Sequence, residues 1–189
     1  MSGTEVVLYG LAYLFPIIFF VFTVVEVLLR NPNRTEHRLV SLVAFCFLLM
    51  FATEYARHQL PIEYSARLSN YVYANAGICI AGVALHFAAK VSGLDKRMPR
   101  LLYPWVFHIP TLGILANLLT SGHAIASSRF VEAGLWILPE YNTAYYITYS
   151  LSNAIIILYL FILYRGWKKA QSKERRQIFK LLLIGGGIT

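Results

Sequence analysis

Charged residues are scarce in this sequence. Asp, Glu, Lys and Arg make up 14% of its 189 residues, whereas a soluble globular domain usually has about 25%. Hydrophobic residues make up 58%. A soluble domain of this length needs a polar surface, which this composition does not supply. The composition therefore excludes an ordinary soluble domain and indicates that lipid is the solvent for most of the chain.

Cysteine is also nearly absent. Cys46 and Cys79 are the only two, and both fall within long apolar runs, where a small thiol serves packing. His86 and His108 also fall within apolar runs, without Cys, Asp or Glu at metal-ligand spacing. We therefore expect no metal, no cofactor and no catalytic residue. A cleavable signal peptide is not expected, because the first apolar run is too long and no basic segment precedes it.

Long apolar runs dominate the sequence instead. Five of them have roughly the 17–25 residues that an α-helix needs to cross about 30 Å of hydrocarbon, and backbone groups in lipid must bond internally, which favours helices. We predict an all-α fold, a polytopic membrane helical bundle that forms a single transmembrane domain over residues 1–189. The predicted helices cover about residues 6–29, 39–58, 68–89, 101–119 and 141–164, with a partial sixth over 177–189. We interpret that short sixth run as a transmembrane helix that the sequence truncates.

The basic residues lie on one side of this predicted bundle. Of the 17 lysines and arginines, 14 fall in the segments 30–38, 90–100 and 165–180. Because loops rich in Lys and Arg stay in the cytoplasm, we predict that these segments are cytoplasmic and that the N-terminus is outside. The net charge of +8 then reflects membrane topology and not a nucleic-acid partner.

Polar residues in the outer halves of four predicted helices form a candidate ligand site. A polar group within a membrane needs a compensating partner, so such residues indicate function by default. The predicted ligand-binding residues are Glu54, Arg57, His58, Asn70, Asn75, Asn117, Tyr149 and Asn153. The alternative for Arg57 and His58 is a helix end whose charges pair among themselves on one face. Glu26 and Arg30, four residues apart, are expected to pair in this way near the cytoplasmic end of the first helix.

Small residues form a stripe along the predicted third helix. They recur at alternating spacings of four and three residues: Asn70, Ala74, Gly77, Ala81, Ala84 and Ala88. Such a seam lets neighbouring helices approach closely. We expect this helix to lie at the centre of the bundle, with Asn70 facing protein.

From the third helix onward the sequence resembles a known family. The stretch VALHFAAKVSGLDKRMPRLLYPWVFHIPTLGILANLLTSGH is similar to the seven-transmembrane sensor region at the N-terminus of many bacterial histidine kinases, which is also found ahead of diguanylate cyclases. GLWILPEYNTAYYITYSLSNAII and RGWKKAQSKERRQIFKLLLIGGG resemble its outer loop, Tyr-rich fifth helix and basic hinge. The counterparts of its central prolines and polar turn are Pro104, Pro110, Asn117, Thr120 and His123. The resemblance implies that a seventh helix and a cytoplasmic output domain follow.

Three functions are open on this basis. A sensor or receptor of a two-component system would bind a small polar or zwitterionic ligand, or a short peptide, at the outer cluster and signal to a cytoplasmic domain in the same chain. Protonation of His58 is a further input for it. A transporter or channel part is the alternative, although no inverted repeat is visible. An intramembrane enzyme would use Glu54 and His58 as an acid–base pair, but only asparagines accompany them. We favour a non-enzymatic sensor in the bacterial plasma membrane, with the lipid bilayer as a partner and a homodimer left open.

Overall fold

The computed structural model describes residues 7–99, 112–120, 129–133 and 136–188. Helix α1 covers Val7–Arg30, α2 covers Thr35–Arg57, and α3 covers Ile62–Ser92. A short helix, α4, covers 112–119. The strands β1 (Arg129–Ala133) and β2 (Trp136–Glu140) precede α5 (Thr143–Lys169) and α6 (Lys173–Ile188). Most of the predicted fourth span lies outside the described residues, since only its end, 112–119, belongs to them.

Four of the described helices are long and apolar enough to cross a membrane: α1, α2, α3 and α5. They have 24, 23, 31 and 27 residues, and about 20 suffice to cross the hydrocarbon of a bilayer. Large apolar side chains of α1, among them Phe15, Ile18 and Phe22, are exposed. A helix in water would bury such side chains, so the structure is that of a membrane protein built mainly from helices.

The turn between α2 and α3 is shorter than the predicted outer loop. Helix α3 begins at Ile62 and not at about residue 68, and Pro61 stands directly before it. The buried Ser65 hydroxyl donates to the carbonyl of Arg57 over 2.7 Å. This bond ties the first turn of α3 to the last turn of α2 and holds their ends side by side.

Two further helix ends follow ordinary capping chemistry. Helix α3 ends at Gly93, whose φ of 73° is in the left-handed region that glycine favours. Helix α5 begins after Asn142, whose side-chain oxygen accepts a 2.8 Å hydrogen bond from the backbone N–H of Tyr145. Glu26 and Arg30 form the predicted pair, with the Arg30 Nε 2.7 Å from Glu26 Oε1.

The helices pack in a fixed neighbour order. Helix α2 contacts α1 and α3, and α3 contacts α5, which in turn contacts α6. Phe20 of α1 stacks on Phe47 of α2, with ring centroids 5.3 Å apart. In the stripe of small residues, Ala81 and Ala88 are buried. Helix α3 therefore lies between α2 and α5, as the stripe predicts.

A short β-hairpin lies in the segment between the predicted fourth and fifth helices. Strands β1 and β2 are antiparallel, with Arg129 paired to Glu140 and Ala133 paired to Trp136. The hairpin contacts the first turns of α3. The fold is mainly helical, as predicted, and the hairpin is a small addition to it. The prediction followed long apolar runs, and these strands have five residues each.

Candidate functional site

A cavity of about 520 Å³ lies between α2, α3 and α5 and reaches α6. This is within the usual size range of small-molecule sites, roughly 300–1,000 Å³. Its lining is polar at the end where α2 stops and where α3 and α5 begin, and apolar over most of the remainder. The polar-end lining includes Glu54, Arg57, Ser69, Tyr73, Tyr141 and Tyr145.

An ion pair between Glu54 and Arg57 lies at the polar end of the cavity. Arg57 Nη2 donates to Glu54 Oε2 over 2.6 Å, and the side chains are 8% and 19% exposed respectively. The spacing of three residues puts both on one face of α2. The two charges compensate each other, so this end of the cavity carries polarity without net charge from this pair.

Arg57 also has a donor that is not used. Its Nε is buried and has no hydrogen-bond partner among the described residues. The Ser69 hydroxyl on α3 is buried and unpartnered in the same sense, and both residues line the cavity. Buried polar groups are usually satisfied, so this pair identifies a place where a bound molecule would find hydrogen bonds.

His58 has a different position from its two neighbours. Its side chain is 1% exposed, and its Nε2 lies 3.7 Å from Glu54 Oε2. On its other side, the rings of Tyr9 and Tyr13 of α1 lie 5.9 and 6.0 Å away. Burial, and then the Arg57 guanidinium, lower the pKa of His58 below its usual range. The ring packs α1 against α2, and it is not in the cavity lining.

Three of the four predicted asparagines, Asn70, Asn75 and Asn117, form a second, separate cluster. The Asn117 side-chain amide, which is buried, donates to the carbonyl of Asn70 over 2.7 Å and to Asn75 Oδ1 over 3.0 Å. The Asn75 amide donates in turn to the carbonyl of Tyr71 over 2.8 Å. These bonds hold α4 against α3. None of the three asparagines lines the cavity, so their described contacts are structural.

Helix α5 supplies the opposite wall of the polar end. The predicted residues Tyr149 and Asn153 line the cavity there, together with Thr148 and Ser152. Tyr145 stacks on Tyr149, with ring centroids 5.9 Å apart. Of the eight predicted site residues, the structure brings four to the cavity: Glu54, Arg57, Tyr149 and Asn153.

Sequence reasoning missed Ser69 for a specific reason. The segment Ser69–Tyr73 is a π-helical turn inside α3, in which the N–H of Ala74 bonds to the carbonyl of Ser69. A π turn takes in an extra residue and rotates the helix on either side of it, and such turns recur at functional sites. A second π turn, Gly10–Leu14, lies in α1 beside Tyr9 and His58. No residue pattern in the sequence marks either turn.

Two further groups bear on the chemistry of the bundle. The thiols of Cys46 in α2 and Cys79 in α3 are free and lie close enough to interact across the two helices. Among the described residues there is no group of three or more His, Cys, Asp or Glu side chains that would hold a metal ion. His86 is among those residues, whereas His108 lies outside them.

Comparison of the chain with protein-family models, with curated proteins and with solved structures found no match. The function is therefore argued from the geometry of the cavity.

Proposed function

We propose that this chain is the sensory input domain of a multi-pass protein of the bacterial plasma membrane. It binds a signal molecule from the outer side and relays binding to a cytoplasmic signalling domain, such as a histidine kinase, in the same protein. In this proposal the N-terminus is outside, α1, α2, α3 and α5 are four of five complete spans, and α6 begins the sixth. The resemblance to seven-transmembrane sensor regions supports the same arrangement.

The single observation that carries the proposal is the cavity. Its polar end is formed where α2 ends and α3 and α5 begin, which is the outer side under the proposed topology. Its lining continues along α5 to Tyr159 and includes Leu181 and Leu182 of α6. From Tyr145 to Tyr159, α5 rises about 21 Å. A molecule bound in the cavity therefore touches helices that continue to the basic, cytoplasmic end.

The contact between α5 and α6 supplies a route for the signal. Phe179 of α6 is buried against Ala88, Leu163 and Ala170. Arg175 Nη2 donates to the carbonyl of Val91, over 3.2 Å, and so connects α6 to the end of α3. A ligand shifts a conformational equilibrium only as far as it binds one state better than the other. A ligand that contacts Leu181 and Leu182 meets this requirement if α6 moves between the states.

The proposal predicts that the ion pair controls signalling output. Glu54→Gln leaves Arg57 as a buried, uncompensated charge, and Arg57→Ala does the same to Glu54. We expect each variant to change output about fivefold or more, the lower range of ordinary allosteric coupling. The measurement is ATP-dependent histidine phosphorylation in membranes that contain the product of the entire gene, at matched protein abundance.

Matched controls are available on the same side of the bundle. Glu63 and Arg67 lie in the first turns of α3, are exposed, and do not line the cavity. Glu63→Gln and Arg67→Ala should leave the output unchanged. Normal signalling by both ion-pair variants would rule out the cavity as the sensing site.

A transport role is the second candidate, because the cavity lining extends from the polar end to α6. It predicts that vesicles reconstituted with the protein transport a solute. It also predicts that membranes containing the protein show no ATP-dependent histidine phosphorylation. The sensor proposal predicts the opposite result in both measurements.

A further inference from the structure

We infer that the cavity binds a single-chain amphiphile whose head group is uncharged and bears a carbonyl, with an apolar tail that lies along α5 toward α6. This inference rests on the proposed function and deepens it, since it names the ligand class of the same cavity. It also replaces the small polar molecule or peptide that the sequence alone favours, because the cavity lining is mostly apolar.

The polar end calls for a hydrogen-bond acceptor. The Arg57 Nε–H and the Ser69 hydroxyl are both buried without a partner among the described residues, and both side chains line the cavity. Leaving a buried donor unpaired is unfavourable. A carbonyl oxygen accepts hydrogen bonds from N–H and O–H donors alike, so a carbonyl-bearing head group matches the donors of this end.

The charge of the polar end selects against ions. Glu54 already compensates Arg57 at 2.6 Å, and further neutral donors and acceptors come from Tyr73, Thr148 and Asn153. An anionic head would compete with Glu54 for Arg57, and a cationic head would compete with Arg57 for Glu54. Either would leave a charge of the pair uncompensated away from water. A neutral ester or amide head leaves the pair intact.

Beyond the polar end, the lining calls for hydrocarbon. Side chains from four helices contribute to it, among them Phe47, Met50, Ile78, Ile156 and Leu181. The cavity of about 520 Å³ is within the usual size range of small-molecule sites, roughly 300–1,000 Å³. Decanoylglycerol, a short monoacylglycerol, has the required neutral ester head and an apolar tail.

The test uses decanoylglycerol with a photoreactive diazirine near the end of its tail. The protein is reconstituted in phosphatidylcholine nanodiscs, irradiated, digested and analysed by mass spectrometry. We expect labelling at the apolar end of the cavity, in the parts of α2, α3, α5 and α6 that line it. Phe15, Ile18 and Phe22 of α1 are exposed apolar residues outside the cavity and report simple partition into lipid. Equal labelling of α1 and the cavity would overturn the inference.

Competition identifies the head group without any variant. Unlabelled decanoylglycerol should prevent cavity labelling. Decanoate, decyltrimethylammonium and glycerol, which are an anion, a cation and a head without a tail, should compete at least about tenfold less well. Equal competition by the charged amphiphiles would show that the tail alone determines binding, and the inferred head-group class would be wrong.

Two substitutions locate the ligand. A Cβ added at Gly77 would meet no atom within 4 Å among the described residues, and Gly77 lines the cavity. Gly77→Leu should therefore place its side chain in the cavity and weaken labelling about tenfold or more. Gly10 is equally open and does not line the cavity, so Gly10→Leu is the matched control. Ser69→Ala should weaken binding about fivefold, the effect of one hydrogen bond.

Separate measurements identify the source of the ligand and test the sensor proposal independently of the ligand class. Native mass spectrometry of protein purified without probe supports a bilayer source if a neutral single-chain lipid co-purifies. It supports a diffusible source if none does. A tightly held diacyl phospholipid or a charged lipid in the cavity overturns the inference. Specific labelling without any effect of Glu54→Gln on phosphorylation would defeat the sensor proposal alone, and altered phosphorylation without specific labelling would defeat the ligand class alone.

Discussion

At the scale of single residues, the contact between Gly166 and Phe179 joins α5 to α6. A Cβ built on Gly166 would lie 2.6 Å from the Cε1 and Cζ atoms of the Phe179 ring. The ring is 1% exposed and is packed among buried side chains, so it has little room to shift. Gly166 is therefore needed for close approach, at the point where the proposed signal leaves α5.

This contact predicts the sign of a glycine substitution. Within a helix, Gly→Ala normally stabilises a protein by roughly 0.5–1 kcal/mol. At Gly166 the overpacking cost, about 1–3 kcal/mol, outweighs that gain. We expect Gly166→Ala to lower the Tm of the purified protein in detergent.

Gly10→Ala is the control for this prediction, because no described atom lies within 4 Å of its added Cβ. It should leave the Tm unchanged or raise it. Combining Gly166→Ala with Phe179→Leu, a smaller side chain, should recover part of the loss. A Tm for Gly166→Ala at or above that of the wild type would show that α6 is not packed on α5 in this way.

The polar residues at the end of α2 show that residue spacing predicts contacts within a helix but not contacts with another helix. The spacing of Glu54, Arg57 and His58 predicted that they share a face, and the ion pair at 2.6 Å and the histidine contact at 3.7 Å agree with it. The same spacing did not predict that His58 packs on Tyr9 and Tyr13 and stays out of the cavity. Those partners come from another helix, and their approach depends on how α1 packs against α2.

At the scale of whole elements, the packing of α2 on α3 brings two thiols together. The thiols of Cys46 and Cys79 lie close enough to interact, although the sequence suggested only that each serves packing. This contact sets the axial register of the two helices, because a shift of one turn, about 5.4 Å, would separate the sulfur atoms.

The thiol contact predicts a disulfide under forced oxidation. Copper phenanthroline, which enters membranes, should oxidise the two thiols to an intramolecular disulfide in the native protein. Mass spectrometry of the peptides, with and without reductant, detects the bond. Cys46→Ser provides the control, since it leaves Cys79 available for alkylation. If both native thiols are still alkylated after oxidation, the register of α2 and α3 is different from that described.

Helix α3 also contains a feature that its sequence does not predict. The stripe of small residues predicted a central position for α3, and α3 contacts both α2 and α5. Ala74, Gly77 and Ala84 of the stripe line the cavity. The π turn at Ser69–Tyr73 was not predictable from that stripe, because each residue advances a helix by about 100°. One extra residue therefore changes the phase of every position across the turn, and it brings Ser69 to the cavity.

At the scale of the whole molecule, the proposed orientation predicts which surfaces are accessible from outside the cell. Gln59 lies in the turn between α2 and α3, and Gln171 lies in the turn between α5 and α6; both are exposed. In a background with Cys46→Ser and Cys79→Ser, Gln59→Cys should react with a membrane-impermeant maleimide on intact cells. Gln171→Cys should react only after permeabilisation. The reverse pattern would invert the molecule and place the polar end of the cavity in the cytoplasm.

The sequence by itself determined the apolar character of this protein, the existence and approximate extent of four of its five predicted long helices, and the local pairs Glu26–Arg30 and Glu54–Arg57. These properties depend on the length of apolar runs and on spacing within one helix, which are local. Only the tertiary structure decided that Tyr149 and Asn153 share a cavity with Glu54, while Asn70, Asn75 and Asn117 form a separate cluster. That division depends on the rotation and register of each helix against its neighbours, and a single π turn changes both.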